Sequence, residues 1–113
     1  MPIQNQQTQV NYGFVNVSLS GNSISGDPTT VGIISGVSTS STAVFDITLS
    51  DPAIAWDPNT LYSPIVAPLG SSNLTWGITN LGINGFTVTF KNAAGTPTSP
   101  STGFTAAVLL ITG

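Results

Sequence analysis

The sequence predicts a single all-β domain, an antiparallel β-sandwich of jelly-roll or Greek-key type with about seven strands. Three observations support this. Short alternating segments recur along the chain, separated by Gly, Pro, Asn and Ser. No segment combines helical spacing with a cap and enough Ala, Leu, Glu or Lys to sustain a helix. The chain has 113 residues, 40% of them hydrophobic, which suits one core and not two.

The first strand is expected over about Val10 to Leu19, with Val15, Val17 and Leu19 on one face and Asn16 and Ser18 on the other. Before it lies a polar arm, residues 1–9, separate from the domain of residues 10–113. Gly21-Asn22 and Asp27-Pro28 mark a loop. The second strand, about Thr30 to Val37, is interrupted by Gly32 and Gly36, which suggests a bulge or an edge. The third, Thr42 to Ser50, places Ala43, Phe45, Ile47 and Leu49 on one side and Val44, Asp46 and Thr48 on the other. The stretch Asp51 to Ser72 holds four prolines and reads as a long loop with one short strand near Tyr62 to Ala67. Leu74 to Thr79 and Gly85 to Lys91 follow as a hairpin around Asn80-Leu81-Gly82-Ile83-Asn84. Phe86, Val88 and Phe90 are expected inside, and Trp76 shares a core-facing parity with Leu74 and Ile78.

The last strand, Phe104 to Thr112, is apolar on both faces. Ala107, Leu109 and Ile111 lie on one side, and Phe104, Ala106, Val108 and Leu110 on the other. A strand in a two-layer sandwich ordinarily alternates, because one face meets water. The second face is therefore expected to meet another body. Phe104, Ala106, Val108 and Leu110 are the expected oligomer-interface residues, with burial under the Pro-rich loop as the alternative.

Charge is nearly absent. Asp27, Asp46, Asp51, Asp57 and Lys91 are the whole set, 4% of the chain, against roughly 25% in an ordinary domain. One lysine cannot neutralise a phosphate backbone or an anionic membrane, so neither nucleic acid nor a membrane is an expected partner. With little charge to keep copies apart, the surface suits a part held in an assembly or exposed outside a cell. No cysteine is present, so disulfides and thiolate metal sites are excluded. The first ten residues lack the basic start and apolar stretch of a signal peptide, and no apolar run is long enough to span a membrane. Export by the usual signal is not expected.

Catalysis finds little support. A nucleophilic triad needs a base, normally histidine, and there is none. Asp51 and Asp57 flank Trp56 and could serve as a glycosidase pair. Both precede proline, however, as Asp27 does, and Asp-Pro is a turn opener. The spacing of an EF-hand is missing as well. No catalytic, metal or cofactor residue is expected, and the chain is not read as an enzyme. Trp56 and Tyr62, both in the long loop, are the candidates for stacking on a sugar ring. The sequons at Asn16 and Asn73 are read as chance matches in a chain rich in Asn, Ser and Thr.

The run from Leu74 to Gly95 contains Trp76-Gly77-Ile78-Thr79, a short polar turn, then Gly85-Phe86-Thr87-Val88-Thr89-Phe90 and a small-residue loop. It resembles a hairpin of bacteriophage virion and tail-fibre β-sandwich domains and of H-type-lectin-like domains, with Gly85, Phe86, Val88 and Phe90 carrying the match. The final apolar strand after a Gly/Ser/Pro loop is similar too. The resemblance covers about forty residues and none of the N-terminal half. It implies a virion structural protein, of capsid-decoration, spike or tail-fibre type, made in the host cytoplasm. It also implies a homo-oligomer, with a trimer favoured, contacts to other virion proteins, and in some members binding of a host glycan. Lectins of that type commonly use charged side chains against sugar, and this chain departs from them there. A carbohydrate-binding module is the alternative.

Overall fold

Two antiparallel sheets stack around a core of aliphatic and phenylalanine side chains in the computed structural model, which describes residues 9–50, 61–70, 73–82 and 84–112. Ten strands are present among the described residues: β1 (Gln9–Ser20), β2 (Ser23–Ile24), β3 (Thr29–Gly32), β4 (Ile34–Ser41), β5 (Val44–Leu49), β6 (Leu61–Tyr62), β7 (Ile65–Leu69), β8 (Thr75–Gly82), β9 (Gly85–Lys91) and β10 (Gly103–Thr112). In the first sheet β1 and β10 form the centre, with β2 and β3 along the far side of β1 and β6 and β7 along the far side of β10. The second sheet has the order β4-β5-β9-β8. The chain crosses repeatedly between sheets, and the β5–β9 ladder nests inside the β1–β10 ladder. That is a jelly-roll-like way of closing a sandwich.

The strand expected over Thr30 to Val37 is divided between the two sheets. Thr29 to Gly32 pair with β1, whereas Ile34 onward pair with β5. The division falls at Gly32, which has φ 69°, and a Cβ there would stand 2.0 Å from the Tyr12 carbonyl oxygen. Only glycine fits such a corner. The next residue anchors it on both sides: the Ile33 N–H donates to Tyr12 O at 2.9 Å, and the Ser50 N–H donates to Ile33 O at 2.7 Å. The expected irregularity near Gly36 is present, as a register shift between Ile34 and Gly36 on an edge strand. The hairpin between β8 and β9 is tighter than the five-residue loop expected. Pairing continues to Gly82 opposite Gly85, after a shift beyond Thr79.

Alternation explains the core. Val15, Val17 and Leu19 from β1, Phe45, Ile47 and Leu49 from β5, and Phe86, Val88 and Phe90 from β9 are all buried. Phe45 and Phe90 belong to one sheet and Phe104 to the other. Their ring centroids lie 4.9 to 5.9 Å apart, tilted or edge-on, so the two layers are tied by one aromatic cluster.

Both sheets start a central strand in the same way. Gly85-Phe86-Thr87 opens β9 and Gly103-Phe104-Thr105 opens β10. The two glycines have φ 145° and 141°, and a Cβ on either would lie 1.9 or 2.0 Å from a carbonyl oxygen of the adjoining strand, Ile47 or Val17. Each phenylalanine then enters the core at full burial.

Candidate assembly surface

The two outer faces of the sandwich differ sharply in chemistry. On the first sheet the inward parity belongs to Val15 and Val17 of β1 and to Phe104, Ala106 and Val108 of β10. The outward parity is also apolar. Phe14 pairs with Val31 on one side and with Ala107 on the other, and Ala107 pairs with Ile65. Val31, Phe14, Ala107 and Ile65 thus form one row across four strands. Tyr12 and Leu109 pair directly in the neighbouring row. Along β7, Ile65, Ala67 and Leu69 are all exposed on this side.

Six of these side chains are large and open to solvent: Tyr12 at 59%, Phe14 at 36%, Val31 at 41%, Ile65 at 70%, Leu69 at 37% and Leu109 at 50% exposure. Together they present on the order of several hundred Å² of apolar surface. That is the scale of the largest apolar patch on a typical monomeric protein. No Asp or Lys side chain among the described residues interrupts the face. Asp27 sits in the loop after β2, and Asp46 and Lys91 belong to the second sheet.

This placement corrects the interface read from the sequence. Phe104, Ala106 and Val108 are 0%, 1% and 3% exposed, within the chain's own core, so they have no surface to offer a second body. The Leu110 side chain lies outside the described residues. The face of β10 that points outward is the other one, with Ala107 half-buried and Leu109 exposed. The residues of β10 alone do not tell which side of a doubly apolar strand faces in. The even parity of β1 carried the missing signal, because Tyr12 and Phe14 alternate against the core residues Val15 and Val17.

The outer face of the second sheet is polar. Thr87 is 8% exposed although it points away from the core. Its hydroxyl donates to Asp46 Oδ1 at 2.8 Å and accepts from Asn80 Nδ2 at 3.3 Å. These residues line a shallow depression of about 370 Å³, bounded also by Thr48 and Asn84. A threonine of central β9 is thus covered by polar side chains from its neighbours, one on each side. Asn80 takes φ 54°, a conformation asparagine tolerates better than most residues. No three Asp, Glu, His or Cys side chains gather into a metal site among the described residues.

Trp76 follows the parity expected of it, with its ring 6.5 Å from Phe90, yet it remains 43% exposed because β8 is an edge strand. Trp56, Asp51, Asp57 and the arm before Gln9 lie outside the described residues. Of Tyr62 only the backbone is described, opposite Leu110 in the ladder.

The fold and surface define a charge-poor antiparallel β-sandwich with one apolar and one polar outer face. Comparison with family models, curated proteins and solved structures returns no match.

Proposed function

We propose that this chain is a structural subunit of a virus particle, of the capsid-decoration, spike or tail-fibre kind, and acts by packing its first sheet against copies of itself. The observation that carries the proposal is the exposed apolar row Val31, Phe14, Ala107 and Ile65 with Tyr12 and Leu109 beside it. A stable interface hides about 800 Å² on each partner. The six large side chains supply a share of that, and Asn16, Thr29 and Thr105 form a polar rim on the same side. A neutral face fits another copy of itself without placing like charges together. The hairpin resemblance supplies the virion setting and favours three copies around one axis.

Density-gradient fractions of particles from a lysate of the source test the setting. The chain is expected in stoichiometric amount in the particle band. Its absence from every particle band overturns the virion reading.

The polar outer face supports a second reading, a carbohydrate-binding module. Asp46, Asn80, Asn84 and Thr87 line the depression and offer the neutral and anionic hydrogen-bonding groups that sugar hydroxyls use. Tyr62, whose backbone pairs with Leu110 in the first sheet, does not belong to this depression, so the reading rests on these polar groups and not on a Trp56–Tyr62 ring platform. A glycan array left blank at high protein concentration removes it.

A further inference from the structure

We infer that β8 is a second, separate assembly element, which pairs antiparallel with β8 of a second copy around Gly77. An edge strand presents unpaired N–H and C=O groups, and proteins usually blunt such edges with proline, charge, bulges or short length. Among the described residues the other edges are blunted. β7 contains Pro68, β2 and β6 are two residues long, and β3 stops after four at the Gly32 corner. β4 has register shifts near both ends, between Ile34 and Gly36 and between Thr39 and Ser41. In β8 the pairing to β9 is regular from Thr75 through Thr79, and this stretch has neither proline nor charge.

The sequence of that stretch, Thr75-Trp76-Gly77-Ile78-Thr79, is nearly symmetric about its centre. A two-fold antiparallel pairing centred on Gly77 sets Thr75 opposite Thr79, Trp76 opposite Ile78, and Gly77 opposite itself. Threonine pairs and aromatic–β-branched pairs are favourable cross-strand neighbours. On the core side, the exposed part of Trp76 is covered by Ile78 of the second copy. On the outer side, a Cβ at Gly77 would meet nothing within 4 Å, so the backbones approach there without obstruction.

Charge agrees with this register. Thr75 lies opposite Lys91, Thr79 opposite Thr87, and Thr87 opposite Asp46. Joining Thr75 to Thr79 of a second copy therefore makes one continuous row with Lys91 toward one end and Asp46 of the second copy toward the other. The two-fold axis makes a matching row in reverse, and no like charges face each other. The result is a continuous sheet of eight strands. It uses none of the residues of the apolar first-sheet face, so it stands independently of the function proposed above.

The test is a register-specific charge series read by light scattering, together with a crosslink. Thr75→Lys with Thr79→Lys places lysine opposite lysine at both rows and is expected to halve the assembled mass. Thr75→Lys with Thr79→Asp places lysine opposite aspartate and is expected to restore it. Gly77→Cys, the chain's single thiol, is expected to give a disulfide-linked dimer under mild oxidation. Directly opposed strand residues have Cα atoms about 4.5 to 5.5 Å apart, within disulfide range. Equal masses across the charge series, or no crosslinked dimer from folded Gly77→Cys protein, would overturn the inference. Loss of mass in the charge series alone, with the first-sheet face unaltered, separates failure here from failure of that face.

Discussion

Phe14 and Ala107 stand directly opposite each other in the β1–β10 ladder, both on the side that turns away from the core. Their neighbours in the same row, Val31 and Ile65, are apolar too. Both sides of this sheet are therefore hydrophobic, and among the described residues only one is covered. The physical consequence is a face whose burial is favourable by about 25 cal/mol for each Å² removed from water, before the costs of association.

Charging that face separates assembly from folding. Ile65→Lys with Leu109→Lys changes two side chains that are 70% and 50% exposed, so thermal unfolding of the isolated chain is expected to shift little. The assembled mass is expected to fall at least threefold in solution scattering. Unchanged mass would show that the face plays no part in assembly.

Truncating the inward side of the same strand gives the opposite pattern. Phe104 is fully buried with its ring 4.9 Å from that of Phe45, so Phe104→Ala is expected to lower stability by about 3–5 kcal/mol. Leu109→Ala, on the outer side, is expected within about 0.5 kcal/mol in the dissociated chain. Denaturant unfolding of the two variants checks the assignment of faces.

The paired glycines are a second quantitative test. Gly85→Ala and Gly103→Ala each bring a methyl against a carbonyl oxygen and force an unfavourable φ, with an expected cost of at least about 2–3 kcal/mol. Gly36→Ala is the control, because a Cβ there meets nothing within 4 Å and its φ is not positive. It is expected to be neutral or stabilising by up to about 1 kcal/mol. Thermal melts of the three proteins distinguish them.

Thr87 holds the polar outer face together. Thr87→Val keeps the shape but removes the hydroxyl shared by Asp46 and Asn80. A hydrogen bond to a charged group is worth about 1.5–3 kcal/mol, and the half-buried setting of Asp46 keeps the expected loss toward the lower end. Thr87→Ser is expected to retain most of the stability. Equal unfolding midpoints for valine and serine would remove the hydroxyl from the account.

The class of fold was legible because it rests on local alternation. β1, β5, β9 and β10 begin and end within two residues of where period-2 patterning places them. The division at Gly32 was not legible, because a glycine within an apparent strand marks a bulge, an edge or a corner equally well. The equivalence of Gly85-Phe86-Thr87 and Gly103-Phe104-Thr105 is visible in the sequence, but its meaning depends on which carbonyl each glycine approaches. For the assembly surface, the patterning of β10 shows it to be apolar on both sides and does not by itself decide which side is spent inside. Tyr12, Phe14, Val31 and Ile65 come from three separate strands, and only the register brings them into one face.

The most direct measurement is the absolute mass of the purified protein by light scattering after size exclusion. The expected result is three chains or more in one stable particle, with the Tyr12, Phe14, Ile65 and Leu109 face buried between them. A single chain at high protein concentration would contradict the account, because the apolar face would then remain open to water, and a particle of two chains would contradict the threefold arrangement.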